Sequence, residues 1–409
     1  MSALLRNRNY VLLWLGQLVS STGDWAFWLT LAYYTYAITH SILASGSMFL
    51  TSVIPGVLFG SLVGVFVDRW DRRRLMITVD CLRAVLLLPI LLIHSAHMLW
   101  LLYVINFLLS SCGLFFNPAR GALMPQLVSN DELLSANALG SVSTALPNVI
   151  GPLLAGFLLL LPGGLLTIVI GDSLSFLFSA TMIFLIVSSP SESRPAPVDW
   201  VGSLWRVIDP GKIWREWVEG LAVVRRQRIL IRLFGLFAIT SLAECPVLVL
   251  LTPFTTNILH GNSAALGWLV MARGIGGLLG GLIVGSTHKF VRPTLLLLLG
   301  TLLAGGGYLL MFNVPWLPLD LACYGLTGIC IVLLTAGSGT LLVQVTEDRY
   351  RGRVLASYVM LAEGSQLLAL LLVSASSDRL GPLPWLELSG LLYLAATGVA
   401  LLIRPSRLL

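Results

Sequence analysis

The chain is a succession of apolar runs, each about as long as a bilayer is thick, and that pattern leaves few folds open. A helix covers the hydrocarbon core with about 20 apolar residues. Runs of that kind fall near 10–36, 43–67, 76–96, 98–117, 137–161 and 164–188. After a polar stretch they resume near 230–258, 265–287, 294–313, 317–342, 354–376 and 384–403. The first run is too long for a signal-peptide core and reads as a span. Only 11% of the 409 residues are charged, against about 25% in soluble domains. A soluble fold would have nowhere to hide a sequence that is 57% hydrophobic, because much of any folded surface stays in water. The expected fold class is an all-α polytopic membrane protein with twelve transmembrane helices in two pseudo-symmetric six-helix bundles.

Lys and Arg collect on the cytoplasmic side of membrane proteins. With the N-terminus placed inside, the 25 Lys and Arg all fall in cytoplasmic segments except Arg83 and Arg273, inside spans, and Arg379, outside. Both termini are therefore expected in the cytoplasm. Trp100, Trp268, Trp316 and Trp385 fall at outer span ends, as an interfacial aromatic belt requires. The net charge of +6 follows from this topology and calls for no nucleic acid. Cys81, Cys112, Cys245, Cys323 and Cys330 form no CxxC pair and read as small core residues.

Three segments follow from the break between the run sets: a bundle over 1–188, a cytoplasmic linker over 189–229 and a second bundle over 230–409. The linker opens on SSPSESRPAP and continues as KIWREWVEGLAVVRR, whose apolar residues share one helical face suited to the inner membrane surface. The bundles look duplicated. At a constant offset, Gly46, Gly56, Gly60 and Gly64 match Gly267, Gly277, Gly281 and Gly285, and Ile54 and Val63 match Ile275 and Val284. That places span 2 on span 8. Two such halves around a mid-membrane site are a transporter plan. The spacing of Gly56, Gly60 and Gly64 is expected to let span 2 approach a neighbour closely.

The end of span 2 reads GSLVGVFVDRWDRRRL, from Gly60 to Leu75. NPARGALMP follows span 4, and RGRV precedes span 11. Here the chain resembles the major facilitator superfamily, in the drug:H+ antiporter branch that contains macrolide-efflux proteins and the enterobactin exporter. The resemblance implies a cytoplasmic gate at Gly60, Gly64, Asp68, Arg69, Asp71, Arg72, Asp80 and Arg83; Asp80 and Arg83 also stand i, i+3 and are placed to pair on one helix face. Pro147, Gly151, Pro152 and Gly156 in span 5 resemble the Gly-Pro motif of the superfamily's antiporters, with Pro147 standing where the motif has Gly. One departure stands out. Many antiporters of the superfamily carry an Arg in span 4, four residues before a Gly; here Leu109 stands four before Gly113, and Asn106 is the nearest polar residue.

Ionisable residues inside spans are functional candidates because burying a charge in hydrocarbon is costly. Asp24 lies about 21 Å into span 1 at 1.5 Å per residue. Glu244 lies similarly deep in span 7, one position from its repeat equivalent; Glu363, Asp172 and Arg273 lie in spans 11, 6 and 8. These five are the expected proton-coupling or substrate-binding residues, unless Arg273 serves only as a structural partner to Glu244 or Asp172. Trp25, Phe27, Trp28, Tyr33 and Phe254 are the expected cavity aromatics. No phosphate loop of the GxxxxGK[ST] type is present, no catalytic set emerges, and neither a cofactor nor a metal is expected. The resemblance implies a monomeric secondary transporter in a bacterial inner membrane. It would export small amphipathic or lipophilic compounds (drug, macrolide or siderophore) in exchange for protons or another coupling ion. A lysophospholipid flippase, and a non-transporting receptor or assembly factor, stay open as alternatives.

Overall fold

The computed structural model describes residues 4–93, 96–187, 224–225, 227–287, 291–347 and 350–403. The linker expected over 189–229 lies largely outside them. Twelve α-helices form among the described residues: α1 Arg8–Thr39, α2 Ile42–Arg69, α3 Arg72–Leu87, α4 Leu99–Leu127, α5 Leu133–Leu158 and α6 Gly164–Phe184, then α7 Arg228–Pro253, α8 Ser263–Thr287, α9 Pro293–Asn313, α10 Leu317–Val345, α11 Arg351–Leu380 and α12 Leu383–Leu402. A 3-10 turn at Leu88–Leu92 prolongs α3, and a π-turn at Phe254–Ile258 ends α7. The fold is all-helical, and each apolar run of the sequence holds one helix. Among the described residues, ten candidate spans are long and apolar enough to cross a membrane, and α1 is not one of them. In α1 the shortfall comes from polar side chains turned into the bundle, where Gln17, Ser20, Thr30 and Thr35 are buried. Large apolar side chains such as Leu82, Val85, Leu282 and Leu391 face outward, as lipid-facing positions do.

The helices group into two compact units, α1 to α6 and α7 to α12, with the first turn of α2 (Ser41–Ser47) grouping with the second. In the first, α1 packs on α5 and α6, and α3 on α4 and α6. In the second, α7 packs on α11 and α12, and α9 on α10 and α12. Each pairing of the first unit thus recurs six helices later, as a duplication requires. Leu13, Val67, Met76, Val79, Phe116 and Ile183 form the core at the end of the first unit where α3 begins.

Glycine carries the closest helix approach, in a different phase from the one the repeat suggested. A Cβ on Gly276 would lie 1.8 Å from the Gly325 carbonyl oxygen, and one on Gly328 would lie 2.1 Å from the Arg273 carbonyl oxygen. Backbone contact between α8 and α10 therefore runs through Gly276 and Gly280. Among the described residues, a Cβ on Gly277, Gly281 or Gly56 would meet no atom of a neighbouring helix within 4 Å. The expected close approach is not made at Gly56; the side chains around Gly60 and Gly64 lie outside the described set. Both faces of α8 are rich in glycine, so spacing alone does not reveal which face meets the neighbour.

Candidate functional site

Among the described residues, each unit holds one acid–arginine ion pair between its helices, partly exposed in both. In the first, Asp24 of α1 meets Arg83 of α3, with Asp24 Oδ2 and Arg83 Nη1 3.5 Å apart. The Arg83 guanidinium lies over the Phe176 ring of α6 at 4.9 Å. Its Nη2 stands 2.7 Å from where a Cβ on Gly113 would be. The arginine absent from position 109 of span 4 is thus matched by a guanidinium arriving at Gly113 from α3, through a space that only glycine leaves. Asp172 of α6 joins from the other side. Its Oδ1 accepts from the Ser175 hydroxyl at 3.2 Å and fills the space above Gly23 of α1. Its Oδ2 finds no donor among the described residues.

Asp80 and Arg83 do not pair. Asp80 is fully buried, and neither of its oxygens is hydrogen-bonded among the described residues. Spacing i, i+3 permits an intrahelical pair, but the Arg83 side chain extends to α1. Asp80 and Arg83 therefore separate from the rest of the expected gate. Asp71 caps α3 by accepting from the Arg74 backbone N–H at 2.7 Å. Arg73 donates to the last carbonyls of α6, at Ile183 with 3.1 Å and at Phe184, where a cation complements the helix dipole. Arg83 lies twelve residues past Asp71, about 18 Å along the helix. Arg72 is half-buried on the first turn of α3; the side chains of Asp68 and Arg69 lie outside the described set.

In the second unit Glu244 of α7 is ion-paired with Arg273 of α8 through Oε1. Its Oε2 accepts from Tyr308 of α9 at 3.1 Å and Tyr393 of α12 at 2.8 Å. Arg273 also donates to the Tyr324 hydroxyl of α10 at 2.9 Å and lies over its ring. Five helices converge on this one carboxylate–guanidinium pair. The three tyrosines were missed in the sequence, although a phenol inside an apolar span has to find a partner. Beside the network is a cavity of about 170 Å³, walled by Leu236, Phe237, Ile331 and Leu334 and open to Glu244, Arg273 and Tyr393.

The remaining candidates are distributed more widely. Glu363 is exposed on α11. Trp25 and Trp28 meet edge to face, and Trp28 tilts against Phe49; Tyr33 is half-buried. Phe27 is buried, and Phe254 is fully buried against Phe312, so both face neighbouring helices. Pro147 and Pro152 lie inside an unbroken α5. Gly151 brings α5 onto α1, where an added Cβ would meet Trp25, Thr22 and Ala26 within 2.9 Å.

Paired six-helix units of long apolar helices, each with an acid–arginine ion pair between its helices, are the architecture of a multi-pass membrane transporter. The profile of the Major Facilitator Superfamily matches residues 13–257, and the chain belongs to that superfamily of transporters rather than to an enzyme family. Among its relatives is Macrolide efflux protein A of Streptococcus pyogenes, 24% identical over 403 residues that cover 98% of this chain and 96% of that protein. Among solved structures, a bacterial homologue of the iron transporter ferroportin in an inward-facing state superposes with a TM-score of 0.77 at 15% identity, over 99% of this chain and 100% of the other. A bacterial homologue of the human lysosomal transporter Spinster superposes with 0.70 at 14% identity, over 98% and 99%. The chain is thus a transporter of small molecules embedded in a bilayer, with efflux proteins among its relatives.

Proposed function

We propose that the protein exports small amphipathic or lipophilic compounds in exchange for protons, by alternating access, from the cytoplasmic membrane of a bacterium. In this reading the bundles 1–188 and 230–409 rock about a mid-membrane site, both termini face the cytoplasm, and the protein works as a monomer. The observation that carries it is the acid–arginine pair in each unit, Asp24 with Arg83 and Glu244 with Arg273. An ionisable group deep in a span marks an ion or substrate path, and both pairs keep part of their surface exposed, so they are open to a proton or a ligand. The cavity beside Glu244, with an apolar wall at Leu236, Phe237, Ile331 and Leu334 and hydroxyls at Thr240, Ser241, Thr335 and Ser338, fits an amphipathic compound. The whole-length relation to a macrolide efflux protein supports outward transport, and the bonds that Arg73 donates to the end of α6 and that Asp71 accepts at the start of α3 support a role for the 68–73 segment in holding one state of the cycle.

The test is export of lipophilic dyes and macrolides from vesicles containing the protein, with and without a proton gradient. Gradient-dependent export lost in Asp24→Asn or Glu244→Gln is the expected result. Export that ignores the gradient rejects the proton, and no movement of any compound rejects drug export.

A further inference from the structure

Apart from the acid–arginine pairs, the first unit holds a recess of about 290 Å³ between α1, α4 and α5, at the end where α1 begins. It stays open for identifiable reasons. Gly121 of α4 and Gly140 of α5 line it, and a Cβ on either would meet no atom within 4 Å. Its back wall is pinned: the Tyr10 hydroxyl donates to the Ala136 carbonyl at 2.8 Å and the Trp14 indole N–H to the Leu139 carbonyl at 3.0 Å. Those bonds hold α1 against α5 and prevent collapse.

The lining has one charge. Arg120 is half-buried and, among the described residues, makes no ion pair or hydrogen bond. No carboxylate lines the recess. Asn137, exposed at the rim, offers an amide with no acceptor among the described residues. Leu13, Trp14 and Met124 supply an apolar wall beside the guanidinium.

Arg120 stands near the end of α4, half-exposed at the recess, and its guanidinium is free of a counter-ion among the described residues, so its donors are available to an anion. A planar fork of donors suits a phosphate or carboxylate. A free anion would use the guanidinium and leave the apolar wall empty, whereas an acidic amphiphile uses both. The volume is at the small end for ligand pockets, enough for a head group and the start of a chain. We infer that this recess binds the oxyanion head of an acidic amphiphile, with Arg120 as its counter-ion and the Leu13–Trp14–Met124 wall against the first part of its chain. The site stands on binding alone and does not require that the protein export drugs.

The test uses the full chain in micelles of neutral detergent, titrated with lysophosphatidylglycerol, with lysophosphatidylcholine of the same chain length, and with inorganic phosphate. Binding is read from the rise in unfolding temperature, which a ligand of the native state produces by mass action. Lysophosphatidylglycerol should stabilise the wild type far more than its zwitterionic counterpart. Arg120→Gln should weaken it by roughly tenfold or more, the worth of a charge-assisted hydrogen bond. Gly140→Leu keeps the charge and fills the recess, so it should weaken binding as well, and it covers the case in which Arg120→Gln fails to fold. Equal stabilisation by the two lysolipids, or wild-type affinity in Gly140→Leu, overturns the proposal. Phosphate alone binding as tightly as the lysolipid overturns the amphiphile and leaves a free-anion site.

Discussion

The Tyr393 hydroxyl donates to Glu244 Oε2 at 2.8 Å, the same oxygen that Tyr308 reaches at 3.1 Å. With Arg273 on Oε1, both oxygens of this carboxylate are engaged from three other helices. Removing one charge from such a pair leaves the other among five apolar helices, mostly shielded from water and without a counter-ion. Glu244→Gln should therefore lower stability by about 3 kcal/mol, and Glu244→Gln with Arg273→Gln should recover most of that loss. Thermal unfolding of the four variants of the cycle decides it. Losses that simply add would show that the two residues act independently.

The Arg83 guanidinium depends on a missing side chain. An alanine at position 113 would place its Cβ 2.7 Å from Arg83 Nη2, and the flexible end of Arg83 would give way rather than the helix. Gly113→Ala should also gain up to about 1 kcal/mol of helix stability. The expected outcome is an unfolding temperature that holds or rises, with transport reduced by roughly tenfold or more through displacement of the guanidinium from Asp24. Wild-type transport in this variant would show that the position of Arg83 is immaterial.

The spans were readable in the sequence because the bilayer dictates their length, and α4, α7 and α8 begin within two residues of the apolar runs. Asp24, Asp172 and Glu244 were readable because so few acids occur in apolar runs, but Asp320, fully buried in the first turn of α10, was passed over. Their partners were not. Asp80 stands one turn from Arg83, yet Arg83 reaches Asp24, 59 positions away in sequence; pairing is set by which helices pack, and spacing along one helix carries no record of that. Tyr308, Tyr324 and Tyr393 were overlooked for a related reason. In an apolar run a tyrosine reads as one more aromatic until its hydroxyl is seen to meet Glu244 or Arg273.

Asn106 illustrates a polar tie between spans. Its amide nitrogen lies 2.9 Å from the Met48 carbonyl, 2.7 Å from Thr51 Oγ1 and 2.9 Å from Ser52 Oγ, so it joins α4 to α2. Hydrogen bonds between membrane helices are modest, averaging about 0.6 kcal/mol. Asn106→Leu should cost about 1 kcal/mol, and a double-mutant cycle with Thr51→Val should show a coupling of the same order. The measurement is unfolding in detergent; a coupling of zero would mean that the Thr51 contact contributes nothing.

The phase of the glycines in α8 gives the sharpest contrast, because neighbouring positions should respond in opposite ways. Gly276 faces α10 so closely that a Cβ would overlap the Gly325 carbonyl, 1.8 Å from its oxygen and 2.8 Å from its carbon. That obstacle is backbone and has no rotamer through which to yield, so Gly276→Val must separate the helices. It should cost about 3 kcal/mol or more, the upper range for overpacking, and reduce the yield of monodisperse protein. Gly277 has open space where its Cβ would go. There Gly277→Val meets nothing, and the small gain in helix propensity leaves stability unchanged or slightly higher. If the two variants unfold at the same temperature, the α8–α10 contact does not run through Gly276, and the register between those helices has to be drawn again.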